Sequence, residues 1–454
     1  MSDQRAAALE YAESNNTRFL TELKEFLTIP SISTDPDHVE DMVKAADWVA
    51  NQFNNLGLDK VEVFPTEGHP VAYGELSSET QGAPTVLVYG HYDVQPAEPL
   101  ELWTTDAFKP VQRGDNLYAR GASDMKGQVI ATIKALEAVL KSGDLPINIK
   151  FLIEGEEEIG SPNLGEFISK HLDMLSCDFA LNPDTGMIAP DLPTITYALR
   201  GLAYFEIRID GPDHDLHSGI YGGVVHNPAQ ALCELIAGMH DDDGKVTLPG
   251  FYDQVSIISD DERNELARLP MGKDFYLQQT GAPALWGESE YTPVERVGAR
   301  PTLEVNGIYS GFTGEGSKTV LPAWAMAKIS TRLVPDQDPE QVHKQLVQYL
   351  DNNTPETVTF KVKSLVGSPA SISDQESAGV KAMQDAMQQV WAKKPLFRRE
   401  GGSVPVVVLF MELLKVDSVN CGFSLPDDNA HSPNEKLHLP TWINGIDTII
   451  NFIY

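Results

Sequence analysis

Apolar residues along this chain fall into two kinds of spacing, and the alternation between them sets the expected architecture. Val43, Ala46, Val49 and Phe53 recur at helical spacing within Val43–Leu56, which predicts a helix with one apolar face. Pro84–Tyr89 (PTVLVY) is instead a short, continuous, β-branched run, the mark of a strand covered on both faces. Val129, Ile133, Leu136 and Leu140 return to helical spacing, and Gly143 follows as a stop. Ile147–Ile153 and Cys177–Leu181 are further strand candidates. Helices alternating with buried strands over the first ~200 residues predict an α/β layer with a mixed, mostly parallel sheet between helices.

Past Gly201 the pattern changes. Leu202–Ile209 (LAYFEIRI) alternates as a half-exposed strand does. A helix follows, with Asn227 as its cap and Pro228 at its first position. A strand at Ala325–Val334, a helix opened by Asp338-Pro339 and a strand at Thr357–Leu365 complete a β-α-β-α-β series. That series predicts a small α+β domain with a one-faced sheet, interrupted by an insertion over about Asp241–Arg300. After Gly367 the α/β character resumes, with a helix near Val380–Trp391, a strand at Ser418–Phe423 and an amphipathic helix at Trp442–Ile453. A chain of 454 residues is long enough for two cores. The second domain, residues 201–366 with its insertion near 241–300, is therefore expected to sit within a first domain made of residues 1–200 and 367–454.

Charge narrows the partners. The chain carries 34 Lys and Arg against 66 Asp and Glu, a formal net charge of −32. Such a surface repels phosphate backbones, so nucleic acid is excluded as an expected partner. No run approaches the ~20 apolar residues that span a bilayer, and the N-terminal MSDQRAAALEYAESNN holds no apolar export core. No membrane partner is expected, and a cytoplasmic location is. Three scattered cysteines, Cys177, Cys233 and Cys421, suit neither a disulfide framework nor a thiolate metal site, and each reads most simply as a small buried hydrophobe.

Five short motifs then stand out, each just after an expected strand, where α/β sheets bind ligands. In Gly90-His91-Tyr92-Asp93 a His can take a metal while an Asp holds its other ring nitrogen. In Arg120–Gly127 (RGASDMKG), glycines allow tight turns around Asp124, although Ser123 or Asp124 as a helix cap fits equally well. Glu154–Ser161 (EGEEEIGS) concentrates carboxylates that repel unless solvent or a cation compensates. Asp184 lies in LNPDTG and His431 in NAHSPNE; alone, the first could be a turn residue and the second structural. Together the motifs supply two His and several carboxylates and no Cys. That donor set suits Zn²⁺, with Mn²⁺ or Co²⁺ as alternatives, and two such ions roughly 3.5–4 Å apart with one bridging carboxylate form a cocatalytic site.

These segments, in order, resemble the cocatalytic-zinc peptidase family that contains carnosine and nonspecific dipeptidases, glutamate carboxypeptidase, aminoacylase and succinyl-diaminopimelate desuccinylase. GHYDVQP, ARGASDMKG, EGEEEIGS, DLHSGIYGG, TRLVP, REGGSVPV and AHSPNEK are most similar to the dipeptidase branch. The resemblance implies that Asp124 bridges two metals, that His91 and Asp184 complete one site, and that Glu158 and His431 complete the other. It implies Glu157 as general base, Asp93 as the residue orienting His91, and a cis peptide bond between Asp124 and Met125. It further implies that the second domain is a ferredoxin-like lid mediating homodimerisation. His217 would reach the partner subunit's site to stabilise an oxyanion, Arg332 would grip a substrate carboxylate, and Thr319 and Ser403 would add substrate contacts.

The expected activity is two-metal hydrolysis of dipeptides or other short peptides. Deacylation of N-acyl amino acids or removal of C-terminal residues would use the same site. A catalytically silent binding protein is the rival of another class, but every position the motif requires holds a competent residue. A serine hydrolase is disfavoured, because no Gly-x-Ser-x-Gly elbow is present.

Overall fold

A computed structural model describes residues 2–402 and 404–454 of the chain. The chain folds as two compact units: Met1–Tyr197, Ser373–Phe397 and Pro405–Tyr454 form the first, and Ala198–Ile372 with Arg398–Val404 form the second.

The principal elements are, in chain order, helices α1 (Ser2–Leu27) and α2 (Val39–Leu56), strands β1 (Lys60–Phe64), β2 (Val71–Leu76) and β3 (Thr85–His91), and helix α3 (Lys126–Ser142). They continue with β4 (Asn148–Glu154), β5 (Phe179–Asn182), β6 (Thr194–Leu199), β7 (Gly201–Asp210) and α4 (Pro228–Ala237). Then come β8 (Thr302–Ser310), β9 (Trp324–Leu333), α5 (Pro339–Asn353), β10 (Thr359–Ser368), α6 (Ala378–Trp391), β11 (Ser418–Cys421) and α7 (Leu439–Ile453).

In the first unit the sheet runs β1-β2-β4-β3-β5-β11-β6. Its centre, β4-β3-β5-β11, is parallel, and the strands to either side pair antiparallel. The expected mixed, mostly parallel sheet is therefore found, with its parallel part where burial is greatest. Val86 to His91 are all buried, as a strand flanked on both sides and covered on both faces requires. Helix α3 is buried from Lys126 to Val139 and packs against α1, α2, α7 and β3. Gly143 ends it, as predicted. The parallel arrangement puts the C-terminal ends of β3, β4 and β5 at one edge of the sheet, and the residues of interest leave from there.

The second unit contains a four-stranded antiparallel sheet in the order β8-β9-β7-β10. Residues along β7 alternate strictly between buried and half-buried, so the sheet is one-faced as expected. Phe205, Ile207 and Ile209 form a core with Leu232 and Leu235 of α4 and Leu346 and Leu350 of α5. Asn227 caps α4 by accepting the Ala229 N–H at 2.9 Å, and Asp338 caps α5 likewise. With β8 added, the series becomes β-α-β-β-α-β, the ferredoxin-like order.

The cysteines need one correction. Cys421 is buried and Cys177 partly so, but Cys233 is exposed, because it lies on the solvent side of α4 whose inward face is Ala231, Leu232 and Leu235. No helix among the described residues is long and apolar enough to cross a membrane. Asp241–Asp243 lie in an exposed turn, in which Asp241 accepts the Asp243 and Lys245 N–H groups.

Candidate metal centre

His91 is the last residue of β3, and its side chain is fully buried. Its Nδ1 lies 3.0 Å from the main-chain carbonyl of Asp93 and 3.3 Å from Asp93 Oδ1. Two acceptors on that side place the hydrogen on Nδ1 and leave Nε2 to face Asp124 Oδ1 at 3.2 Å and Asp184 Oδ2 at 3.9 Å. The hydrogen bond thus goes to the backbone of Asp93. Its carboxylate contributes charge to His91 and spends Oδ2 on the Glu158 N–H at 3.1 Å.

Asp124 precedes α3 in a loop that ends with a cis Asp124–Met125 peptide bond, as the resemblance implied. Neither Ser123 nor Asp124 caps the helix: Met125 holds the cap position and makes no side-chain bond there. Gly121 takes a positive φ of 80°, and a Cβ on Gly127 would fall 2.2 Å from the Ala122 carbonyl oxygen. Both glycines are therefore required for the turn to close on the helix. The two Asp124 oxygens diverge: Oδ1 faces His91, while Oδ2 lies 2.9 Å from His431 Nε2.

Glu157 and Glu158 follow β4 in a short 3₁₀ turn, Glu157–Ile159. Glu158 Oε2 lies 3.2 Å from His431 Nε2 and accepts a hydrogen bond of 2.9 Å from Gln95 Nε2. The EGEEEIGS run is not surface acid: Glu154 and Glu156 are buried and Glu157 and Glu158 half-buried. Asp184 follows β5, its N–H held by Asn182 Oδ1 at 3.2 Å. His431 has a positive φ of 60° in a loop where Asn429 and Asn434 do the same, and its side chain is 54% exposed.

Two groups of three result. His91, Asp124 and Asp184 form one and Asp124, Glu158 and His431 the other, the candidate ligand atoms within each lying within 4.8 Å of one another. Asp124 belongs to both. Electrostatics follow from this crowding. Burial, reinforced by the Asp124 charge, pushes the Asp184 carboxyl up to about 7. Burial together with Asp184, Glu158 and Asp124 lifts Glu157 to about 8, against the pull of His91. His431 rises to about 10 through hydrogen bonds to Asp124 and Glu158. For His91, burial is outweighed by Asp124 and Asp93, so its pKa also lies well above the usual value. Asp124 is buried too, yet the two imidazoles hold it far below the carboxylate range.

The residues fit a pair of divalent cations. Among the described residues, these carboxylates share positive charge directly with the two imidazoles alone, and a cation would replace the imidazole protons while restoring ionised carboxylates. Nitrogen and oxygen donors without sulfur match the borderline and harder divalent ions.

His217, Thr319 and Arg332 belong to the second unit. His217 is exposed, its Nδ1 accepting the Gly219 N–H at 3.0 Å. It pairs with Val320, and the Ser218 N–H bonds the Thr319 carbonyl at 3.1 Å, so His217 and the exposed Thr319 are close neighbours. Arg332 is half-buried on β9, opposite Leu202. Burial lowers its pKa, and burial together with the Arg332 charge lowers that of Arg200. Ser403 lies outside the described residues.

Two residues at the centre were not singled out in the sequence. Gln95 holds a Glu158 oxygen. Glu435 binds the loop that carries Asp124. Their position within GHYDVQP and AHSPNEK was the available signal, but neither is a metal-ligand type in a metal-ligand position.

The profile of peptidase family M20/M25/M40 matches residues 87–454. The chain is 32% identical to a Cys-Gly metallodipeptidase of Candida albicans over 97% of its own length and 95% of that protein. It is 31% identical to the Beta-Ala-His dipeptidase of Homo sapiens, over 96% of this chain and 89% of the other. Two solved structures are similar throughout. An M20 family metallo-carboxypeptidase of Sulfolobus solfataricus gives a TM-score of 0.85 at 33% identity, covering 96% of this chain and 98% of that one. Human carnosine dipeptidase 1 gives 0.83 at 29% identity, covering 99% and 98%. With its profile match, its relatives and its arrangement of donors in agreement, this chain belongs to peptidase family M20/M25/M40.

Proposed function

We propose that this chain hydrolyses the peptide bond of unblocked dipeptides and other short peptides, using two divalent cations held on either side of Asp124. The observation that carries the reading is the divergence of the two Asp124 oxygens, one toward His91 and one toward His431. His91 and Asp184 would hold one cation and Glu158 and His431 the other, zinc being the first choice, with manganese or cobalt as alternatives. Such ions supply Lewis acidity, which acidifies water and polarises a carbonyl. Glu157 is the general base of the proposal: its carboxylate takes a proton from the attacking water and returns it to the leaving amine. Asp93 keeps His91 in the tautomer that presents Nε2. His217 would stabilise the oxyanion from the partner subunit of a homodimer, and Arg332 would pair with the free substrate carboxylate, helped by Thr319 and Ser403. The second unit would act as lid and dimer contact. Strand β8 supports the latter: it is a sheet edge, and Ile308 and Tyr309 on it are 54% and 48% exposed.

The dipeptide reading draws on the two dipeptidase relatives. Removal of single residues from the C-terminus of longer peptides is a second reading, favoured by similarity to the metallo-carboxypeptidase. The test is hydrolysis by metal-reconstituted protein of unblocked dipeptides, longer peptides and N-acetyl amino acids, side by side. Cleavage restricted to dipeptides supports the first reading and C-terminal trimming the second. Cleavage of acyl amino acids alone would replace both with a deacylase, and silence on all three with metal bound would point to a binding protein.

A further inference from the structure

Glu435 is 1% exposed, and both of its oxygens face the loop that leads to Asp124. Oε1 accepts the main-chain N–H groups of Ser123 at 2.9 Å and Asp124 at 3.1 Å. Oε2 accepts the Gly121 N–H at 2.9 Å and an Arg120 Nη1–H at 2.8 Å. Those bonds occupy the acceptor positions of an ionised carboxylate, and Glu435 is absent from both groups of converging ligand atoms. It has nothing left to offer a cation.

The segment that carries it has other ties to the same loop. Asp428 Oδ2 accepts the Ser123 hydroxyl at 2.8 Å, and Lys436 Nζ bonds Asp428 Oδ1 at 3.0 Å. The Ala119 N–H bonds the Glu435 carbonyl at 3.1 Å. Within this stretch, four positions before Glu435, stands His431, whose Nε2 faces Asp124. One short segment therefore presents an imidazole to the Asp124 carboxylate and grips the Asp124 main chain.

We propose that Glu435 is the positioning residue of the centre: by fixing the backbone from Gly121 to Asp124 it sets both Asp124 oxygens at once, and through them both cation sites. This rests on the reading of Asp124 as the shared ligand. A carboxylate that only paired a buried arginine would affect folding and leave ion binding untouched. A positioning carboxylate acts on ion affinity in the folded protein.

Three variants decide between these roles: Glu435→Gln, Glu435→Asp and Asp124→Asn. Each, with the wild type, is stripped of metal and checked for folding by circular dichroism and thermal unfolding. Each is then titrated with Co²⁺, followed by its visible absorption and by calorimetry. In Glu435→Gln the amide NH₂ must face one of the two donor pairs, so dissociation constants for both Co²⁺ equivalents should rise about 10- to 100-fold. The cobalt spectrum should be altered and remain so at saturation. Glu435→Asp keeps the charge but is one methylene short of spanning both ends, and should fall between. Folded variants with Co²⁺ affinities within twofold of wild type and an unchanged spectrum, even with a lower Tm, would overturn the proposal in favour of a structural ion pair. Failure of both variants to fold would overturn it too, by making the carboxylate a folding element. If Asp124→Asn binds two equivalents as wild type does, the shared-ligand reading fails and this proposal with it. If Asp124→Asn loses metal while the Glu435 variants keep it, only this proposal fails.

Discussion

Replacing Asp93 by Asn tests how much of the centre depends on a residue that is not itself a proposed ligand. The substitution changes almost no volume, so it opens no cavity. It changes hydrogen-bond parity instead. Asp93 Oδ2 receives the Glu158 N–H at 3.1 Å, and Oδ1 lies 3.3 Å from His91 Nδ1. In either orientation an Asn amide NH₂ faces one of those donors. A buried donor left without an acceptor costs about 1–3 kcal/mol, and at about 1.4 kcal/mol per factor of ten that is roughly 5- to 150-fold. With the NH₂ toward Glu158, that main-chain N–H loses its acceptor; with the NH₂ toward His91, the ring keeps its bond to the Asp93 carbonyl, but the new amide N–H is buried against the ring N–H with no acceptor, so each route disturbs a proposed ligand. Removal of the negative charge beside His91 also makes its ring a weaker donor to a cation. The expected outcome is a kcat/KM on an unblocked dipeptide reduced by roughly 5- to 150-fold, together with weaker metal retention during dialysis. Metal content and kcat/KM both within twofold of wild type would refute the reasoning.

Glu157→Gln should lower turnover by about 10²- to 10⁴-fold while leaving metal content near that of wild type; near-normal turnover would remove Glu157 from the chemistry. The metal-free protein should lose stability as pH rises from about 4 toward 10. Asp184 and Glu157 are raised to about 7 and about 8 and His431 to about 10, so the folded state holds protons that the unfolded chain releases sooner. Saturating Zn²⁺ should flatten that slope, and thermal unfolding across pH with and without metal measures both. Ile308→Lys, on the exposed edge strand β8, should shift a homodimer toward monomer in sedimentation equilibrium; an unchanged dimer would place the contact elsewhere.

Much of the fold was legible because its signals are local. The PTVLVY run, the helical spacing that ends at Gly143 and the Asn227-Pro228 cap each settle an element within a few residues, and the structure has β3, α3 and α4 there. Helix α1 was not predicted. Its buried residues Ala8, Ala12, Phe19, Leu23 and Phe26 do keep helical spacing, but the polar run Glu13–Arg18 interrupts the stripe, and the face is completed by packing on α3 and α7. Strand β8 was missed for a different reason: most of it is exposed, so burial leaves no alternation to read. At the centre, residue types and placement after strands marked the motifs, the resemblance singled out His91, Asp124, Glu158, Asp184 and His431 within them, and the ligand atoms of these five do converge. The roles of Gln95 and Glu435 were not legible. Glu435 acts on main-chain N–H groups more than 300 positions away, and backbone donors carry no mark in a sequence. The same holds for Asp93, whose backbone carbonyl rather than its carboxylate takes the His91 hydrogen bond.

The most direct test of the central claim is anomalous diffraction from crystals of the protein grown with zinc, collected on either side of the metal edge. The account requires two peaks, one in contact with His91 and Asp184 and the other with Glu158 and His431, with a different oxygen of Asp124 on each. A single peak, or two peaks of which only one touches Asp124, would contradict it.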